Sequence, residues 1–199
     1  MSSARTIRDP VQDHLLTPQN SAMLFIDFQP EQISSIKSRD RSQLVRNVVS
    51  IAKLAGLFGL PIVLSTINVA SGLKSPMIDA LADVFPGAEL FDRTAINAWE
   101  DEDFLRCVKA TSRTKLIIAA LPTEVSLVYP ALDALREGFD VFPVVDAVGS
   151  ATLEAHETGL QRLVQAGAQP TTGIQLAYEL QRDWNREKTA GQVTQILSA

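Results

Sequence analysis

A chain of 199 residues that is 46% hydrophobic has enough apolar surface for one sizeable core and no need of a second. Its formal net charge of -5, with Lys and Arg scattered along the chain, offers no basic footprint to nucleic acid or to an anionic membrane surface, and both are set aside as partners. The single cysteine, Cys107, excludes an intrachain disulfide framework; the opening residues lack the apolar core of a signal peptide, and no apolar run reaches the roughly 18 residues of a membrane span, so a cytoplasmic location is expected.

Residues 1–19 read as an N-terminal arm ahead of one domain, 20–199. Ser21 to Ile26 is the first predicted strand, an apolar run that stops at Asp27. Leu44, Val48, Ile51, Leu54, Ala55 and Phe58 then recur at helical spacing, and Gly59 sits where that helix would stop. Pro61 to Thr66 predicts a second strand. Arg93 falls in what reads as a loop ahead of a helix over Asp101 to Ala110. Lys115 to Ala120 is the next strand and runs directly into a helix, Glu124 to Arg136. Asp140 to Val145 predicts another strand and Leu153 to Ala166 another helix, followed by a weaker strand candidate near Gln169 to Thr172, a last helix near Ile174 to Arg186, and a polar tail. Strands written as continuous apolar runs and separated by helices imply an α/β fold, doubly wound, with a mainly parallel sheet covered by helices on both faces.

In such a sheet, ligands bind beyond the carboxyl ends of the strands. That rule alone selects Asp27, at the tip of the first strand, and Ser126, at the turn from Leu116-Ile117-Ile118-Ala119-Ala120 into a helix, where backbone N–H groups and the helix dipole favour developing negative charge. Arg93 is the cation available to them. Each residue has a plain structural reading beside the functional one: a strand-end carboxylate, a salt-bridge arginine, a helix-capping serine. His14 and His156 have no second His or carboxylate at ligand spacing and read as structural or exposed. Cys107 lies in a helix-period segment and reads as a small apolar residue.

Several ordered motifs carry a resemblance. Leu24-Phe25-Ile26-Asp27-Phe28-Gln29-Pro30, Arg93-Thr94-Ala95-Ile96-Asn97-Ala98-Trp99, Leu121-Pro122-Thr123-Glu124-Val125-Ser126, Gly138-Phe139-Asp140-Val141, Ala166-Gly167-Ala168-Gln169 and Glu179-Leu180-Gln181-Arg182-Asp183-Trp184 together resemble the isochorismatase-like cysteine hydrolases. The likeness covers about residues 20 to 186 and points to a bacterial branch whose substrates are unassigned. It implies Asp27 as general acid or base, Arg93 in place of the usual lysine as the orienting cation, and Ser126 at the position of the nucleophilic cysteine. It places Phe28, Gln29, Asn97, Trp99, Pro122 and Thr123 around the pocket as substrate-binding residues, with Phe28 and Trp99 as walls. It also implies a cis peptide ahead of Pro122, a small-molecule substrate, no cofactor, and an even-numbered homo-oligomer, the resembled branch forming octamers. The metal-binding relatives carry an Asp and two His near the pocket; Ile67-Asn68-Val69-Ala70-Ser71 supplies none of these, and no metal is expected.

Two departures from the family pattern bear on chemistry. A serine hydroxyl is far less acidic than a thiol and usually needs a histidine base, and no histidine lies in the matched site motifs; an Asp held against an Arg is a weak base towards a hydroxyl. Proline at position 122 removes a backbone N–H that serves the oxyanion in the resembled enzymes, a loss of roughly 2.7 to 4 kcal/mol where one such donor is deleted. Three readings stay open: an amide or related acyl hydrolase with a weak serine nucleophile, a non-covalent vinyl-ether hydrolase in which Asp27 is protonated, and a degenerate relative that keeps the pocket for ligand binding or assembly.

Overall fold

The computed structural model describes residues 8–198. Five parallel strands, β1 (Ser21–Ile26), β2 (Ile62–Ile67), β3 (Leu90–Arg93), β4 (Lys115–Ala120) and β5 (Asp140–Pro143), form one sheet in the order β3-β2-β1-β4-β5. The helices are α1 (Pro30–Ser35), α2 (Arg41–Phe58), α3 (Asp79–Ala82), α4 (Glu102–Ala110), α5 (Val128–Arg136), α6 (Leu153–Gln165), α7 (Gly173–Gln181) and α8 (Glu187–Leu197). The expected α/β, doubly wound architecture is what the chain forms. No helix among the described residues is long and apolar enough to cross a membrane.

The sheet is buried on both faces because its central strands β1 and β4 are apolar at every position after the first, Ser21 and Lys115 being the exceptions. Met23 and Phe25 of β1, with Ile117 and Ala119 of β4, pack into one cluster beneath α2 and α7, where Leu44, Val48, Ile51 and Leu176 meet them. The alternate residues, Ala22, Leu24 and Ile26 with Leu116, Ile118 and Ala120, pack into a second cluster against Phe104 of α4, Ala131 of α5 and Leu163 of α6. Helix α2 starts where the Asp40 carboxylate accepts the Gln43 N–H at 2.7 Å and stops at Gly59, whose φ of 66° is left-handed, a conformation that favours glycine.

Four boundaries differ from the sequence reading. Leu90–Arg93, read as part of a loop, is the edge strand β3; half of its side chains face solvent, so it lacks the apolar run of the inner strands. The candidate strand near Gln169 to Thr172 amounts to one bridge, Val144 to Thr171, because Pro143 and Pro170 have no N–H with which to extend a ladder. The predicted last helix ends at Gln181, and the polar tail beyond it folds as α8, which seats Val193 against Leu54 and Ala177. Within the arm, residues 1–7 lie outside the described residues, while Leu16 is fully buried and the Lys115 ammonium donates to the carbonyls of Asp13 at 2.8 Å and His14 at 2.6 Å.

Candidate active site

The chain winds β1, β2 and β3 outward on one side, then returns to add β4 and β5 on the other. The strand order therefore reverses between β1 and β4, the position at which a doubly wound sheet opens a crevice. Asp27 leaves the carboxyl end of β1 there, Arg93 ends β3, and Ser126 follows β4. All three are buried, none more than 3% exposed.

Asp27 turns the chain out of the sheet at a φ of 62°, in the left-handed region that Asp adopts more readily than most residues. Its carboxylate takes both arms of the Arg93 fork, Oδ1 from Nη1 and Oδ2 from Nη2, each at 2.7 Å, and Oδ2 also accepts the Ser126 hydroxyl at 2.7 Å. Arg93 Nη1 donates further to Ser65 Oγ and Thr66 O, both at 3.0 Å, so the guanidinium is fixed to β2 as well as to the acid. The neighbouring Asp92 accepts Val69 N–H at 3.0 Å, Ala70 N–H at 2.8 Å and Thr66 Oγ1 at 3.1 Å. Burial works against its ionised form, but these bonds and Arg93 outweigh it and hold its carboxyl below the usual range.

Ser126 lies in a π-helical turn, Thr123–Leu127, that precedes α5; single π turns recur at functional sites. The Leu121–Pro122 peptide ahead of it is cis. Pro122 O gathers the N–H groups of Val125 at 3.3 Å, Ser126 at 3.0 Å and Leu127 at 3.4 Å. The Ser126 N–H is thus engaged within the turn, and Pro122 has none.

The residues expected to line the pocket have other partners in the single chain. Gln29 is fully buried and its amide bridges β2 to the following loop, donating to Ile67 O at 3.1 Å and Ser75 O at 2.7 Å while accepting Ile67 N–H at 3.0 Å. Asn97 caps its own short turn and donates to Asp133 at 2.7 Å. Trp99 packs edge-on against Phe139 at 5.7 Å and gives its indole N–H to Glu137 at 2.9 Å. Phe28 stacks edge-on with Phe25 at 6.2 Å in the first core cluster. Pro122 is half-buried and Thr123 fully buried at the start of the Ser126 turn.

His156, read from the sequence as structural or exposed, takes the structural alternative. It is buried, with Nδ1 2.9 Å from Thr123 Oγ1 and Nε2 3.3 Å from Arg39 Nη2. Its partners lie 33 and 117 residues away, so no local spacing announces it. Cys107 is half-buried, and burial, helped by Glu89, pushes its thiol up. Among the described residues no group of three or more His, Cys, Asp or Glu side chains could hold a metal ion.

An acid, a cation and a hydroxyl joined at the switch point of a doubly wound sheet define an α/β protein with an enclosed polar site at the strand ends. The isochorismatase domain family matches residues 21–175. The probable hydrolase YcaC of Escherichia coli (strain K12) is 39% identical over 173 residues, 86% of this chain and 83% of its own. The structure of YcaC from Pseudomonas aeruginosa with hexane-2,5-diol and covalent acrylamide matches with a TM-score of 0.85 at 36% identity, over 90% of each chain. The E. coli YcaC structure, described as an octameric hydrolase of unknown specificity, matches with a TM-score of 0.84 at 34% identity, over 94% of this chain and 96% of that one. The chain belongs to the isochorismatase family.

Proposed function

We propose that the protein is a hydrolase of small molecules bearing a C–N amide or related acyl bond, with Ser126 as nucleophile, Asp27 as proton acceptor and donor, and Arg93 as the cation that orients Asp27. The 2.7 Å hydrogen bond from Ser126 Oγ to Asp27 Oδ2 carries this reading, because a nucleophile and its base must stand within hydrogen-bond reach. As Oγ bonds to the substrate carbonyl carbon, its proton passes to Asp27 and the carbonyl π pair moves onto oxygen. Collapse expels the amine, which takes the proton from Asp27. Water then bonds to the acyl carbon as it gives a proton to the same carboxylate; the acyl–Oγ bond breaks, Ser126 Oγ takes that proton back from Asp27, and the acid is released. The hydrolase names of the YcaC relatives and the covalent adduct in one of them support a reactive position in this fold.

A second reading has its own observation. With Pro122 lacking an N–H and the Ser126 N–H bound to Pro122 O at 3.0 Å, the turn is poorly equipped to stabilise an oxyanion, which favours activated acyl substrates or a site kept for binding alone. Ser126→Cys separates the two. On activated amides, imides and esters the variant is expected to gain at least about tenfold over the wild type, a thiol being the better nucleophile at neutral pH. If neither protein turns over any of them while both bind small amides measurably, the binding reading replaces the hydrolase.

A further inference from the structure

Helix α6 grips the Ser126 turn through two residues three positions apart on one of its faces. At Gly159 the approach is close: an added Cβ would lie 3.3 Å from Thr123 Cγ2 and from Val128 Cγ2. At His156 the grip is polar, Nδ1 meeting Thr123 Oγ1 at 2.9 Å. The direction of that bond is set from the other side of the ring. Arg39 Nη2 faces Nε2 at 3.3 Å, and a guanidinium can only donate. Nε2 is therefore the acceptor, Nδ1 carries the proton, and the imidazole donates to Thr123 as a neutral ring. It is accordingly no base for the Thr123 hydroxyl.

We propose that His156 is the positioning residue that latches the Ser126 turn through Thr123, and that it does so only while its ring is neutral. The charged groups facing the ring are Arg39, from the segment between α1 and α2, and Glu124, from the turn itself. Arg39 is pinned by a 2.7 Å bond to Val145 O, and Glu124 is engaged by Ser150 Oγ at 2.5 Å. A proton on Nε2 would set an N–H against the Arg39 guanidinium, cation against cation. With Arg39 held in place, the ring has to leave the slot between Arg39 and Thr123. The turn then depends on its three remaining hydrogen bonds to the rest of the chain, Thr123 N–H to Gly149 O at 2.9 Å, the Glu124 to Ser150 bond, and Ser126 Oγ to Asp27 at 2.7 Å. The importance of this turn rests on the reading of Ser126 given above; the latch itself does not.

Amide hydrogen exchange over residues 123–127, corrected for intrinsic rates, reads the latch directly. Between pH 7.5 and the acid pH at which the His156 ring is seen by NMR to have taken up its proton, protection in the wild type should fall by roughly tenfold, the scale of one lost hydrogen bond. His156→Asn, whose amide nitrogen can stand in for Nδ1 but does not titrate, should stay protected at both values. His156→Ala should be weakly protected at both. Equal protection of the wild type at the two pH values, an acid loss in His156→Asn matching that of the wild type, or wild-type protection in His156→Ala would each overturn the proposal; the first two hold even if His156→Ala fails to fold. The Ser126 reading is tested separately, by alkylation of Ser126→Cys in a Cys107→Ala background. A thiol no faster than free cysteine would sink the nucleophile and leave a pH-dependent latch standing.

Discussion

The Asp27 and Arg93 side chains are 1% and 0% exposed, so each neutralises a charge that would otherwise be stranded in the core. Such a pair contributes little over an apolar substitute, but breaking it is costly, about 3 to 5 kcal/mol, because one charge remains without a partner. Arg93→Met should lower the free energy of unfolding by about that much in urea titrations; a loss under about 1 kcal/mol would mean that Asp27 is neutral or solvated in the native state. His156 contributes differently. Burial first, then the charge of Arg39, lowers its pKa from 6.5 against the opposing pull of Glu124. As the pH falls below the ordinary value the unfolded chain takes up a proton that the native ring refuses, so the stabilisation is complete above about pH 6.5 and declines as the pH drops towards the depressed folded value. Thermal midpoints should fall across that window in the wild type, and His156→Asn should remove this part of the slope. The placement of Asp27 and Ser126 beyond β1 and β4 was legible because a strand end is visible in sequence. The contacts of His156 with Arg39 and Thr123 were not, since a lone histidine on an amphipathic helix looks the same whether it faces solvent or a distant arginine.

At the scale of elements, the inner strands were readable where both faces are buried, and β1 and β4 fall where their apolar runs begin and end. β3 and α8 were missed for one physical reason: each buries little, with Arg93 the only buried residue of β3 and Val193 the only one of α8, so neither writes a hydrophobic period into the chain. The two helical glycines of α6 and α8 separate packing from propensity. Gly159 lies against the Ser126 turn, whereas a Cβ at Gly191 would meet nothing within 4 Å. Gly191→Ala should stabilise by about 0.5 to 1 kcal/mol, the ordinary gain in helix propensity. At Gly159 the same gain is opposed by overpacking of about 1 to 3 kcal/mol, and the net effect should be destabilising by about 1 kcal/mol. Urea midpoints moving in the same direction for both substitutions would show that α6 can back away from the turn.

For the whole molecule, the question is what covers the apolar surface that the single chain leaves open. Ile174 and Tyr178, one helical turn apart on α7, are each about half exposed at 51% and 50%, and Trp184 is 56% exposed and meets Tyr178 edge-on at 5.8 Å. Trp184 therefore leaves more than half of its surface open to a partner. Large aromatic side chains left at the surface together are characteristic of interface centres, and the octameric E. coli relative supports the same direction. We expect an even-numbered homo-oligomer, closed symmetry being the default for self-association. Light scattering at micromolar concentration should return a multiple of the 21.7 kDa chain mass. The double substitution Tyr178→Ala with Trp184→Ala should shift the dissociation midpoint by about tenfold or more if these rings sit at the centre of the contact. A mass near that of one chain across the whole concentration range would defeat the oligomer, and an unchanged midpoint in the double variant would move the interface to another face of the molecule.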